Sequence, residues 1–416
     1  MGDPLESRWR SLDERIRGWW DDDLHRADED AVRDDPDGTL LYLPHPYSSA
    51  AGAHAAFPEM YGWDTYFINC GLLAHGRLDL VRNHVLNQIH QIEQYGFVPN
   101  GNRSFYLTRS QPPMLGESVY RYVAASNDLQ TAARALPALQ REYEHFWDAP
   151  PRLTPTGLAT CHDTGDPRRR AALAAEAESG RDFTAIHGGD VRRCVPLNIN
   201  SALVRYAKSV AAVADLLGHS DLGAVWRQRA EERARRVRHL CWSREASTFL
   251  QWDWVAQHHL PYRSLDALWP LWAGIATVDQ AEAVADDLDR FLCPYGLAFT
   301  DVRYPSPHPE YDWLQWGYPS GWPPEQLIAV EALDAYRLHD RAIEVARRYL
   351  AAQIDLYDRT GQLWEKLDVT TGGLDLPTER YAVPPFHGWS SASVVILGRR
   401  LFGEEGPDEQ GGASPI

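Results

Sequence analysis

Cysteine is scarce in this chain: 5 in 416 residues, at positions 70, 161, 194, 241 and 293. They stand far apart with no CxxC pair, which argues against a disulfide framework or a zinc site and suits a reducing compartment. Lysine is scarcer, with Lys208 and Lys366 alone among 41 basic residues; 58 acidic residues set a net charge of −17. That charge argues against nucleic acid or an anionic membrane as the main partner. No apolar run reaches the length of about 18 residues that crosses a bilayer. Met1 to Trp20 is charged and has no apolar leader segment, so a cytoplasmic location is expected. His187, His308 and His387 stand in no HxH or HExxH pattern, so neither a metal nor another cofactor is expected. Gly188-Gly189 and Gly372-Gly373 lack the strand–loop–helix context of a phosphate site, which excludes nucleotide binding.

Aromatic residues are abundant, with 16 Trp and 19 Tyr, many of them beside Asp, Glu, Asn or Gln. Flat rings next to hydroxyl-binding groups suit a carbohydrate site, although the same rings fill cores. Apolar residues recur at helical spacing: Val81, Val85, Ile89 and Ile92, and again Ile199, Leu203, Tyr206, Val210, Val213 and Leu217. Stripes over 198–217 and 221–240, and over 324–338 and 341–357, form pairs with short breaks, the last ending at Gly361. Such pairs predict stacked helical hairpins. The stretches 96–116, 149–165, 180–197, 294–323 and 361–389 are long and rich in Gly, Pro and aromatics. Loops of that length are usually functional or disordered, and their aromatic content favours function. The expected architecture is one all-α body over 1–403 whose loops gather at one end. Residues 404–416 and 28–38 are expected to be disordered.

Carboxylates stand on these loops beside glycine and aromatic residues. Cleaving a glycosidic bond takes two carboxyl groups, one to protonate the leaving oxygen and one to attack or to activate water. Asp182, after Ser179-Gly180-Arg181, and Glu365, between Trp364 and Lys366, could each be such a group. Among 58 acidic residues, spacing alone does not select the pair.

Four segments together resemble the trehalases, glycoside hydrolase family 37, and the related family 63. Phe57, Glu59, Tyr61, Trp63, Asp64 and Tyr66 match the family's RFxExYxWDxY pattern. Pro99-Asn100-Gly101, Arg103, Tyr106-Leu107 and Arg109 to Pro113 match PNGxRxYYLxRSQPP; Glu178-Ser179-Gly180 and Asp182 match ESGWD. Gln315, Trp316, Pro319, Gly321, Trp322 and Pro324 match QWDxPxGWAP, in the same order along the chain. The resemblance implies a single (α/α)6 barrel and an inverting mechanism, with Asp182 as general acid and Glu365 as general base; Glu379 is the alternative base. It implies sugar contacts from Tyr61, Trp63, Asp64, Asn100, Arg103, Arg109, Ser110, Gln111 and Gly180. Gln315, Trp316, Trp322, Glu379, Tyr381 and Trp389 complete that expected set.

The sequence also departs from the family. Ala56 replaces an arginine, Gly317 an aspartate and Arg181 a tryptophan. Losing a buried hydroxyl contact costs about 1–3 kcal/mol, and a gained guanidinium suits a carboxylate. The expectation is therefore a sugar–glycerate substrate, with Arg181, or alternatively Arg103, gripping the acid. Family 63 enzymes of this size hydrolyse mannosylglycerate or glucosylglycerate. The rivals are a trehalase or other α-glucosidase, a phosphorylase, and a non-catalytic sugar-binding protein. A homo-oligomer is compatible with the sequence.

Overall fold

The computed structural model describes residues 3–53, 56–165, 171–308, 314–376 and 380–403. Among these residues there are fourteen α-helices. They are α1 (Pro4–Asp22), α2 (Glu29–Asp34), α3 (Asp64–Ala74), α4 (Leu78–Tyr95), α5 (Leu115–Ser126), α6 (Leu129–Glu142) and α7 (Ala171–Glu178). There follow α8 (Leu197–Leu216), α9 (Ser220–Cys241), α10 (Trp269–Trp272), α11 (Val278–Asp287), α12 (Pro323–Ala335), α13 (His339–Thr360) and α14 (Gly388–Phe402). Strands are two-residue ladders within the loops.

Six helices close a ring. α3 touches α5, α5 touches α8, α8 touches α10, α10 touches α12, α12 touches α14, and α14 returns to α3. α1, α4, α6, α9 and α13 pack outside it, and α11, between inner helices α10 and α12 in the chain, is the sixth outer helix. This is the (α/α)6 barrel, and burial patterns explain which helix lies in which layer. α9 buries one stripe, Trp226, Ala230, Arg233, Ala234, Val237 and Cys241, at helical spacing. Its other face stays in water, as an outer helix requires. Its partner α8 buries nearly every residue from Leu197 to Ala214, so it must be covered on all sides. α12 and α13 repeat the contrast. α13 ends at Gly361, φ 72°, where the sequence places a stop.

The connections divide sharply by end. Inner-to-outer links are short: 75–77, 127–128, 217–219, 273–277 and 336–338. Outer-to-inner links are the long loops 23–63, 96–114, 143–196, 242–268, 288–322 and 361–387. All six long loops therefore gather where the inner helices begin.

Residues 28–38, expected to be disordered, contain α2, capped by Asp28. Asp35 there accepts from Thr39 N–H, Leu40 N–H and Arg103, contacts that composition does not reveal. The tail 404–416 lies outside the described residues.

Candidate active site

The long loops enclose a cavity of about 810 Å3 at the N-terminal ends of the inner helices. Its floor is a cluster of indoles. Trp316 and Trp322 stack with centroids 4.0 Å apart, and Trp63 and Trp389 meet them edge-on or tilted at 5.8–5.9 Å.

The Asp182 segment follows α7. Gly180 has φ 70°, and a Cβ there would come within 3.0 Å of Pro112 Cγ and 3.2 Å of Trp63 Cζ2. Only glycine fits so tight a left-handed turn. Phe183 is also left-handed, φ 68°, a conformation that costs a residue with a Cβ roughly 1–2 kcal/mol. The surrounding bonds hold it: Phe183 C=O accepts from Trp316 N–H at 3.2 Å, and Thr184 Oγ1 donates to Trp316 C=O at 2.9 Å. The Glu365 segment rests on the same connector further along. Ser320–Gly321 pairs antiparallel with Leu367–Asp368. One short stretch, 316–321, thus supports the backbones that carry both carboxyls.

Glu365 is buried. Tyr381 donates its hydroxyl to Oε1 at 2.8 Å, and Lys366 Nζ lies 3.2 Å from Oε2. Trp389 Nε1 donates to the Glu365 carbonyl at 2.9 Å. Asp64 opens α3, behind Trp63, whose N–H donates to Gln111 Oε1 at 3.0 Å. Asn100 Nδ2 donates to Ser110 C=O at 3.0 Å and to Ala177 C=O at 3.3 Å, tying that loop to α7.

Three carboxyls share this enclosed space with Lys366 beside one of them. Burial first, then the charges of Glu176 and Glu365, push Asp182 up to about 6 against the lowering effect of its backbone hydrogen bond and Lys366. Burial first, then Glu365 and Asp182, push Asp64 up to about 8. Desolvation favours the neutral acid, and near neutral pH such groups are poised to give up or keep protons.

Most of the sequence-expected residues line this cavity. Asp182 and Glu365 face it together with Tyr61, Trp63, Asp64, Asn100, Arg109 and Gln111. Gly180, Gln315, Trp316, Trp322, Tyr381 and Trp389 complete that group. Arg109 also pairs with Asp163 at 2.8 Å. Three residues stand elsewhere. Ser110 is buried, donating from Oγ to Val98 C=O at 2.6 Å and from N–H to Glu178. Arg103 pairs with Glu59 at 2.9 Å and Asp35 at 2.8 Å.

Arg181 is the third, fully buried beneath the floor, with Asp266 at 2.9 Å and Glu325 at 2.7 Å. Its guanidinium lies 4.6 Å from the Trp316 ring centre and 5.1 Å from that of Trp63. With its charge directed to two protein carboxylates, it is not a clamp for a substrate acid. Glu379 lies outside the described residues. Leu173, Ala174 and Ala177 of α7, with Phe386 and Arg380, also stand on the cavity wall and went unmarked in the sequence. A short alanine-rich helix carries no chemical signal that would have marked it.

The sequence profile of the trehalase family matches residues 6–173 and 170–400. A periplasmic trehalase of Xanthomonas oryzae pv. oryzae is 31% identical over 87% of this chain and 69% of its own length. Neutral trehalase Nth1 of Saccharomyces cerevisiae superposes with a TM-score of 0.76 at 27% identity, over 91% of this chain and 80% of that one. The family 63 mannosylglycerate hydrolase of Thermus thermophilus is 17% identical with a TM-score of 0.65, covering 93% of this chain and 99% of its own, a likeness of fold alone.

These matches overturn the expected sugar–glycerate substrate. Geometry opposes it as well. Arg181 does not reach the cavity. Gly317 is off its wall, where the nearest atoms to a Cβ would be those of Leu314 and Thr300 at 3.8–3.9 Å. The expected cytoplasmic location is likewise overturned, since curated relatives from Xanthomonas and Pseudomonas aeruginosa are periplasmic trehalases. The chain belongs to the trehalase family and is an inverting hydrolase of O-glycosidic bonds.

Proposed function

We propose that this chain hydrolyses α,α-trehalose to two glucose molecules, with Asp182 as general acid and Glu365 as general base, residues 1–403 acting as one catalytic unit. The observation that carries this reading is that both carboxyls open onto one indole-floored cavity, on backbones supported by the same connector. A volume of about 810 Å3 accommodates a disaccharide. The relatives named trehalase support the same substrate, and the periplasmic ones support a periplasmic site of action.

Asp182 is raised to about 6 chiefly by burial, so the carboxylic acid form is available to protonate the bridging oxygen in mildly acidic solution. Glu365, oriented by Tyr381 and Lys366, takes a proton from a water attacking the opposite face of the sugar. Asp64, raised to about 8 by burial and its carboxyl neighbours, keeps a hydrogen to donate to a sugar hydroxyl. The indoles cover the apolar face of the ring.

Proton NMR of trehalose with purified protein tests this directly. The cleaved glucosyl unit should appear first as β-glucose, alongside an equal amount of α-glucose from the leaving group. Absence of trehalose turnover contradicts the proposal.

A further inference from the structure

Glu176 lies on α7, shortly before Asp182 in sequence, and its side chain is wholly buried. It does not line the cavity, yet it folds back on the segment that does. Its Oε1 accepts the backbone N–H of Phe183 at 2.8 Å and of Thr184 at 2.9 Å, the two residues after Asp182. Those bonds meet the chain at the left-handed Phe183, where the backbone most needs support. The Ser179 hydroxyl donates to the Glu176 carbonyl at 2.6 Å, closing the turn from the other side. Oε2 faces His187 Nδ1 at 3.7 Å.

We propose that Glu176 is a positioning residue for the catalytic acid: it fixes the backbone after Asp182 through two N–H groups and sets a negative charge beside that carboxyl. The inference rests on Asp182 being the acid. Around Asp182 stand Glu176, Glu365, Asp64, Lys366 and the hydroxyls of Tyr106 and Tyr381, with Arg109 and Arg380 on the same cavity wall. Those facing Glu176 are His187 and the thiols of Cys161 and Cys194. Of the two carboxylates named as raising Asp182, Glu176 is the larger influence after burial.

Glu176→Gln keeps an acceptor oxygen and removes the charge. The acid then loses its proton at lower pH, so the alkaline limb of kcat/KM for trehalose moves down by about half to one pH unit. KM changes less than kcat. Glu176→Asp keeps the charge, and the limb returns to the wild-type position. A second substrate separates acid positioning from general damage. α-Glucosyl fluoride leaves with little protonation, so both variants lose more activity on trehalose than on the fluoride.

If the glutamine variant does not fold, the aspartate variant decides by that substrate ratio. An unmoved limb in Glu176→Gln, or equal losses on both substrates, overturns the role of Glu176 alone. A wild-type protein that hydrolyses neither substrate overturns the acid assignment and this inference with it.

Discussion

Two regions of the barrel bury carboxylates and treat them in opposite ways. Between the inner helices, Glu117 in the first turn of α5 is enclosed by Arg205 of α8 and by Arg121, which donates to it at 2.9 Å. Arg121 also pairs with Glu331 of α12 at 2.9 Å. Burial alone would raise Glu117, but the two guanidiniums hold it down at about 2. At the cavity, Asp64 is buried and Asp182 half-buried, and burial outweighs the nearby cation Lys366 at Asp182, so Asp182 rises to about 6 and Asp64 to about 8. Between the two lies Arg181, paired with Asp266 and Glu325. Burial acts in all three places; two guanidiniums on one carboxyl overcome it at Glu117, whereas Glu325, which shares Arg181 with Asp266, is still pushed up to about 7, by burial first.

Substitutions should divide along the same line. The largest effect is expected from Asp182→Asn, which should lower kcat/KM for trehalose by about 10²–10⁴-fold while the thermal midpoint stays at or above the wild-type value. Arg205→Met should do the reverse. It leaves Glu117 buried with one of its two cations gone, and destabilisation of about 3–5 kcal/mol should appear in urea unfolding. Tyr381→Phe removes one hydrogen bond to Glu365 and should lower kcat by about tenfold or somewhat more.

Asp64 sets a pH dependence of stability rather than a fixed loss. Its folded value lies above the ordinary carboxylate value, so its stabilising contribution is complete at low pH and is lost as pH rises toward about 8. Asp64→Asn should therefore melt higher than wild type at pH 8 and no higher at pH 4. An Asp64→Asn protein stabilised equally at both pH values would blur the contrast.

The barrel was readable because its signal is periodic. The stripes in 198–217 and 221–240 match α8 and α9 within a residue, and the short breaks between paired stripes forced antiparallel neighbours. The cavity residues were readable through their motifs rather than through physics, since one Asp among many looks like another. What escaped was contact information. Arg181 stands next to Asp182 in sequence, which suggests a place facing the substrate, yet the left-handed turn at Gly180 sends it beneath the floor to Asp266 and Glu325. Asp266 and Glu325 lie 85 and 144 residues away along the chain, and no local pattern announces such partners. The same holds for 28–38, whose acidic composition reads as disorder until Arg103 supplies the partner of Asp35.

Central to the proposed mechanism is a proton held by Asp182 at the cavity, kept there by burial against the lowering effect of Lys366. Carbon-13 NMR titration of protein labelled at its aspartate carboxyls, with Asp182 assigned by the signal lost in Asp182→Asn, measures it directly. A midpoint near 6 is predicted; a midpoint at or below the ordinary aspartate value of about 3.9 would contradict the account.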